Sequence, residues 1–207
     1  MNNKILFETI SNTINSLEIN EISDDRKSVL KPLIDYLNDK IKTNNPIRLN
    51  FICTHNSRRS HLSQIWAQTM AAYYGVNNVS CYSGGTEATA MFPKVGETLR
   101  NQGFKIVKLS EEDNPVYSIK FSENEPAVIG FSKQFSDDFN PASEFAAIMT
   151  CSSADVGCPM VFGCDKRIAI TYEDPKKSDG TPQQTEVYLN RSLQIATEMK
   201  YVFSRLN

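Results

Sequence analysis

The sequence predicts an α/β fold: an open, mostly parallel twisted sheet with helices on both faces, an N-terminal helical arm and an inserted β-hairpin. Three observations carry this. From Asn45-Pro46 onward, short apolar runs alternate with helix-like runs, as in sheets built from strand–helix–strand units. Residues 1–45 show only helical spacing. Two short strand-like runs, Val116–Phe121 and Ala127–Phe131, flank the polar stretch Ser122-Glu123-Asn124-Glu125-Pro126 and read as a hairpin.

The elements follow in order. Leu6, Ile10, Ile14 and Leu17 recur at helical spacing, and so do Leu30, Leu33, Ile34, Leu37 and Ile41, with Ser23 or Asp24 as a cap for the second helix. Residues 1–45 therefore form an arm, expected to pack on residues 46–207 or on a partner chain. Ile47–Cys53 is a buried strand, and a helix begins near Ser60. Val79–Ser83 is a second strand, ended by Gly84-Gly85. A helix from about Pro93 to Gln102 stops at Gly103, and Phe104–Leu109 is a third strand. Phe145–Cys151 and Arg167–Tyr172 are further apolar runs. The last helix carries Leu189, Leu193, Ala196, Met199 and Val202 on one face.

The chain has 207 residues, 40% hydrophobic and 22% charged, with a net charge of −2. That is enough for one ordinary core and lacks the basic excess of a nucleic-acid or membrane-surface binder. The N-terminus has no signal-peptide pattern and no apolar run approaches a membrane span, so the cytoplasm is the expected compartment. Five cysteines are an odd number and do not form a secreted framework.

Cys53-Thr54-His55-Asn56-Ser57-Arg58-Arg59-Ser60 lies between a strand and a helix. Backbone N–H groups of such a loop converge on one point, and the helix N-terminus adds partial positive charge. This field favours a thiolate, the form of cysteine that attacks. Arg59 supplies a planar fork for two oxygens of a tetrahedral oxyanion, Ser60 a donor to sulfur and Asn56 a brace. Thr54, His55, Asn56, Ser57, Arg58, Arg59 and Ser60 are thus the expected oxyanion loop, although Arg58 itself reads as an exposed arginine. In an open α/β sheet the ligand site lies beyond the carboxyl ends of the strands. Cys53, Cys151 and Asp174 all fall near such ends, so three separated segments converge on one rim.

Cys53 to Ser60 resembles the phosphate-binding loop of the low-molecular-weight protein tyrosine phosphatase superfamily. Tyr172-Glu173-Asp174-Pro175 resembles its Asp-Pro loop, and Ser83-Gly84-Gly85-Thr86-Glu87 its Ser-x-Gly-Thr segment. The resemblance covers roughly residues 47–205 and implies Cys53 as nucleophile and Asp174 as general acid. Cys151 to Pro159 further resembles the Cys-x6-Cys-Pro segment of the thioredoxin-coupled arsenate reductases within that superfamily. This implies a relay among Cys53, Cys151 and Cys158, with no bound cofactor and with thioredoxin as external reductant. Seven residues of helix rise about 10 Å. A disulfide needs Cα atoms within roughly 7 Å, so a Cys151–Cys158 bond requires the intervening segment to loop or unwind.

The chain departs from the family pattern at His55, Arg58 and Gln64, and it carries two cysteines outside the implied relay. His55 stands where glycine is usual, which implies a residue tolerating a special backbone conformation, with a positive φ as one form of it. Gln64 replaces a glutamate that in many arsenate reductases is linked to potassium, so potassium is not expected, and the spacing of Cys151, Cys158 and Cys164 does not suit a zinc site. Cys164 has no relay role and reads as an inert neighbour or a back-up thiol, while Cys81 reads as packing. Three functions follow. The leading one is an arsenate reductase. The second is a phosphatase working through a Cys53 phosphocysteine, with Tyr172 and Phe92 as aromatic candidates for the entrance. The third is a non-enzymatic oxyanion or redox sensor.

Overall fold

The computed structural model describes residues 6–157 and 160–206. Its centre is a four-stranded, wholly parallel sheet in the order β2-β1-β6-β7. These strands are β1 (Ile47–Cys53), β2 (Val79–Gly85), β6 (Phe145–Met149) and β7 (Cys164–Ala169). Helix α3 (Arg59–Tyr73) connects β1 to β2, and α4 (Pro93–Asn101) follows β2. Among the described residues no helix is long and apolar enough to cross a membrane.

Alternation along β1 and β6 divides the core. Ile47, Leu49, Phe51, Ala146 and Ile148 face a large cluster shared with α3 and α6 (Gln184–Ser204). Ile52, Phe145, Ala147 and Met149 face a smaller one closed by Ala154, Val161 and Phe135. Cys53 and Cys151 both belong to this smaller cluster.

Helices α1 (Glu8–Ser16) and α2 (Asp24–Lys42) pack on the main body, and their apolar residues merge into the large cluster. Ser23 caps α2, accepting from the Arg26 N–H. Lys200 donates to the carbonyls of Ile14 and Leu17 at the end of α1, each at 2.8 Å. Arg26 makes a bidentate pair with buried Glu198 of α6, at 2.8 and 2.7 Å, and lies over the Tyr172 ring.

Three details differ from the expectation. The run Phe104–Leu109 does form a strand, β3 (Lys105–Lys108), but it leaves the parallel sheet. It pairs antiparallel with β4 (Tyr117–Lys120), which pairs with β5 (Val128–Gly130), making the hairpin a three-stranded sheet. Its exposed lysines suit a solvent-washed edge and not a buried central strand. Strand β7 starts at Cys164, three residues before the apolar run, because an edge strand keeps polar residues on its open side. On α6 the buried face runs through Tyr188, Ser192, Ile195, Met199 and Val202, while Leu189 is exposed. Wedging α6 between α3, α4 and α2 demands that rotation.

Candidate active site

Cys53 ends β1 at the carboxyl rim, and the chain turns through Thr54–Arg58 before α3 begins at Arg59. The loop carbonyls point outward. Thr86 N–H bonds Cys53 O at 3.1 Å, and Glu87 N–H bonds Thr54 O at 2.8 Å. Thr89 Oγ1 and Ser132 Oγ donate to His55 O at 3.0 and 2.9 Å. Phe92 N–H bonds Ser57 O at 3.0 Å. With the carbonyls held this way, the intervening N–H groups face the inside of the loop, as an anion cradle requires. Gly85 makes the close approach possible. A Cβ there would lie 2.6 Å from Thr54 O and 2.7 Å from Asn56 N.

Inside the loop, Asn56 takes the left-handed conformation, with φ of 43°. Its amide donates to Ser60 Oγ at 2.8 Å, and its carbonyl oxygen accepts from Lys133 N–H at 2.9 Å. Ser60 Oγ, which accepts from Asn56, also lies 3.2 Å from Cys53 Sγ, where its hydroxyl can donate to a thiolate. The sulfur is therefore buried, oriented and hydrogen-bonded.

Two other segments reach the rim. Arg59 donates to Tyr172 O at 2.9 Å and to Asp174 Oδ2 at 2.5 Å, so guanidinium and acid are joined directly. Its Nε is buried and has no partner among the described residues. Asp174 Oδ1 also accepts from Lys176 N–H, capping the short 3-10 turn Pro175–Ser178. Cys151, two residues past the end of β6, is 1% exposed; its Sγ lies 3.5 Å from the Oγ1 of Thr54, the residue that follows Cys53. Ala154 N–H, in the six-residue helix α5 (Ser152–Gly157), donates to the same sulfur at 3.3 Å. Cys53, Cys151, Arg59 and Asp174 are thus brought to one rim, while Cys158 lies outside the described residues.

Residues 48–119 match the family described as low molecular weight phosphotyrosine protein phosphatase. An arsenate reductase of Bacillus licheniformis is 25% identical over 141 residues, covering 68% of this chain and 83% of that protein. The family match includes the Cys53–Ser60 loop, so the chain is similar to low-molecular-weight phosphotyrosine phosphatases and to an arsenate reductase. Solved structures share its fold. An arsenate reductase in a phosphate-binding state has a TM-score of 0.50 at 17% identity, covering 78% of this chain and 99% of that one. A low-molecular-weight protein tyrosine phosphatase from T. tengcongensis has a TM-score of 0.50 at 18% identity, covering 77% and 99%.

Against the superfamily pattern, several sequence expectations need correction. The positive φ sits on Asn56, not on His55, whose side chain is half-exposed with Nε2 3.6 Å from Glu87. Asparagine tolerates that conformation far better than histidine. Arg58 is neither exposed nor an anion clamp. Its guanidinium turns away to Tyr188 and Asp179 and stacks over Phe92 at 4.1 Å. Tyr172 is buried under Arg26 and does not line an entrance. Cys164 begins β7, at the opposite end of the sheet from Cys151, which removes it as a back-up thiol. Gln64 is buried, with its amide donating to the carbonyls of Cys81 and Ile129. Burial pushes the Cys81 thiol up, leaving it a packing residue.

Sequence reasoning missed the layer beneath the loop. His61 is fully buried, with Nδ1 3.3 Å from Ser83 Oγ. Burial, reinforced by the Lys133 ammonium, pulls it down to about 3, so the ring is neutral at ordinary pH. Lys133 is also buried, against the rings of Phe131 and Phe139, and burial pulls it down to about 8. Neither signal is visible locally, because both residues sit in stretches of mixed polarity.

Proposed function

We propose that this protein reduces arsenate to arsenite through Cys53, Cys151 and Cys158, with thioredoxin as the external dithiol. The observation that carries this reading is Cys151 buried against Thr54, one residue from the nucleophile. A hydrolase has no need of a second thiol at that place. The arsenate reductase among its sequence relatives supports the same reading.

The site's parts divide the work. The loop N–H groups and Arg59 would receive the oxyanion, which competes with Asp174 for the guanidinium and takes up its idle Nε. The Cys53 thiolate attacks arsenic, and an arsenic–oxygen bond breaks as Asp174 protonates the departing oxygen. The Cys151 thiolate then attacks Cys53 sulfur. A sulfur–sulfur bond forms, the sulfur–arsenic pair stays on arsenic, and arsenic(V) leaves as arsenite. Cys158 next attacks Cys151 and releases the Cys53 thiolate. Helix α5 fills the span between the two relay cysteines, so it must unwind for them to meet. Val156, Met160 and Phe162 around it are strongly exposed and suit an apolar partner surface.

The test is mass spectrometry of disulfides after one arsenate turnover without reductant. A Cys151–Cys158 bond is expected, and Cys158→Ser should stall as a Cys53–Cys151 bond. A Cys158→Ser enzyme that turns over as fast as its parent with thioredoxin would defeat the relay. Phosphatase activity is the second reading, favoured by the Arg59–Asp174 pairing beside Cys53. Efficient aryl phosphate hydrolysis together with no arsenate reduction would select it.

A further inference from the structure

Two adjacent arginines hold two aspartates five residues apart. Arg59 grips Asp174, and Arg58 grips Asp179 at 2.6 Å. Between those aspartates lies only the 3-10 turn Pro175–Ser178, so the segment is pinned at both ends to the anion loop. The two attachments differ in what an arriving oxyanion does to them. Arg59 is drawn to substrate and must loosen Asp174. Arg58 has no such competitor, because its fork is already committed. Its Nε donates to Tyr188 Oη at 2.6 Å, and the Tyr188 hydroxyl donates to Asp179 Oδ1 at 2.7 Å. Gln184 donates to the same oxygen at 3.0 Å. Phe92 stacks on Tyr188 with ring centroids 5.8 Å apart and lies beneath the guanidinium, and its N–H holds Ser57 O.

We propose that Arg58, through Asp179, is a positioning residue that keeps the Asp174 carboxyl at the reacting oxygen once Arg59 has turned to the substrate. The inference rests on the reading of Asp174 as general acid. Arg58 touches no substrate. It fixes the far end of a strap whose near end must be free to move. A lysine cannot replace it, since it lacks the planar fork that reaches a hydroxyl and a carboxylate together.

The experiment compares Arg58→Gln and Asp179→Asn with the parent on two aryl phosphates of differing leaving group, phenyl phosphate and 2,4-dinitrophenyl phosphate, with single-turnover arsenate reduction in parallel. General-acid assistance is worth roughly 10²–10⁴ in rate and matters little for a leaving group that needs no proton. Both variants should lose about 10-fold or more in kcat on phenyl phosphate and on arsenate, but under about 3-fold on the dinitrophenyl ester. Inhibition by inorganic phosphate should stay within about 2-fold, and Asp174→Asn should cost less on top of Arg58→Gln than it does in the parent. Equal loss on both esters, or a loss confined to phosphate binding, would show that Arg58 only holds the loop and would overturn the proposal. Should Arg58→Gln fail to fold, Asp179→Asn carries the same test from the other partner. A parent inactive on the esters and on arsenate sinks the functional reading itself; an active parent with leaving-group-independent variants sinks only the positioning role.

Discussion

The anion loop and the segment after β6 each deliver a buried cysteine to the same rim, yet they are built on opposite plans. Around Cys53, the carbonyls of residues 53, 54, 55 and 57 are bonded to neighbouring segments, and Asn56 ties Ser60 to Lys133. Around Cys151, the sulfur is buried but the chain leaves at once into a six-residue helix. That helix is held by the Arg167 guanidinium at Asp155 and carries Val156 82% exposed. A Cβ at Gly157 would meet nothing within 4 Å among the described residues. The contrast suits the chemistry proposed for the two thiols. A nucleophile must keep one geometry against a tetrahedral oxyanion, because small misplacements are costly in rate. A relay sulfur must meet two partners in turn, so its segment cannot be bonded down everywhere.

The largest effect should come from separating the two thiols. Cys53→Ser is expected to lower both arsenate reduction and aryl phosphate hydrolysis by about 10⁴-fold or more, since the nucleophile serves both. Cys151→Ser should abolish multiple-turnover arsenate reduction while leaving aryl phosphate hydrolysis within about 3-fold of the parent. The two rates, measured on the same preparations, check this. Parallel losses in Cys151→Ser would mean that this cysteine is part of the anion loop's packing, and the contrast between the segments would collapse.

A smaller but still large effect concerns acid. The anion loop rests on buried, neutral His61, whereas no such group lies under α5 among the described residues. The histidine's ordinary value is 6.5 and its folded value about 3. Above 6.5 both folded and unfolded chains carry it neutral, and its contribution to stability is complete. Between 6.5 and 3 the unfolded chain takes up a proton that the folded chain refuses, so stability falls as pH falls. The loss is on the order of a few kcal/mol at full extent. His61→Gln should flatten this dependence, seen as a smaller fall of urea-unfolding free energy between pH 7 and pH 4. Parallel curves for parent and variant would assign acid sensitivity to other groups.

How much of this was legible in the sequence depended on the range of the interaction. Cys53 to Ser60 is a local pattern, and a strand–loop–helix context suffices to read it. The rim position of Cys151 and Asp174 followed from parallel-sheet topology, since parallel strands put their carboxyl ends on one side. Pairing choice was not legible: β3 has a strand's period, but period does not say which strand it joins. Nor was Arg58, whose partner Asp179 lies 121 residues away. Two neighbouring arginines look alike in a sequence, and only the fold shows that one pairs with Asp174 and the other with Asp179. His61 and Lys133 were equally hidden, because burial of a polar residue depends on what packs over it and not on its own neighbours.

The smallest effect would sharpen the comparison most. Arg167 sits 2.6 Å from Asp155 and also donates to the Asp155 carbonyl, so its side chain fastens α5 to β7. Both groups are about a quarter to a third exposed, so water screens the pair. Asp155→Asn should therefore change global stability by only about 0.5 kcal/mol, within the range of surface pairs. Locally the consequence should be larger in relative terms, because a short helix with few other contacts opens without global unfolding. Amide exchange of Ser153–Gly157 should speed up several-fold, while that of Leu62–Trp66 beside the anion loop stays unchanged. If unwinding of α5 limits the transfer from Cys53–Cys151 to Cys151–Cys158, the same substitution should accelerate formation of the second disulfide in a rapid-quench experiment. Faster exchange with an unaltered transfer rate would place the slow step in the thiol chemistry, and the freedom of α5 would then be permissive and not rate-setting.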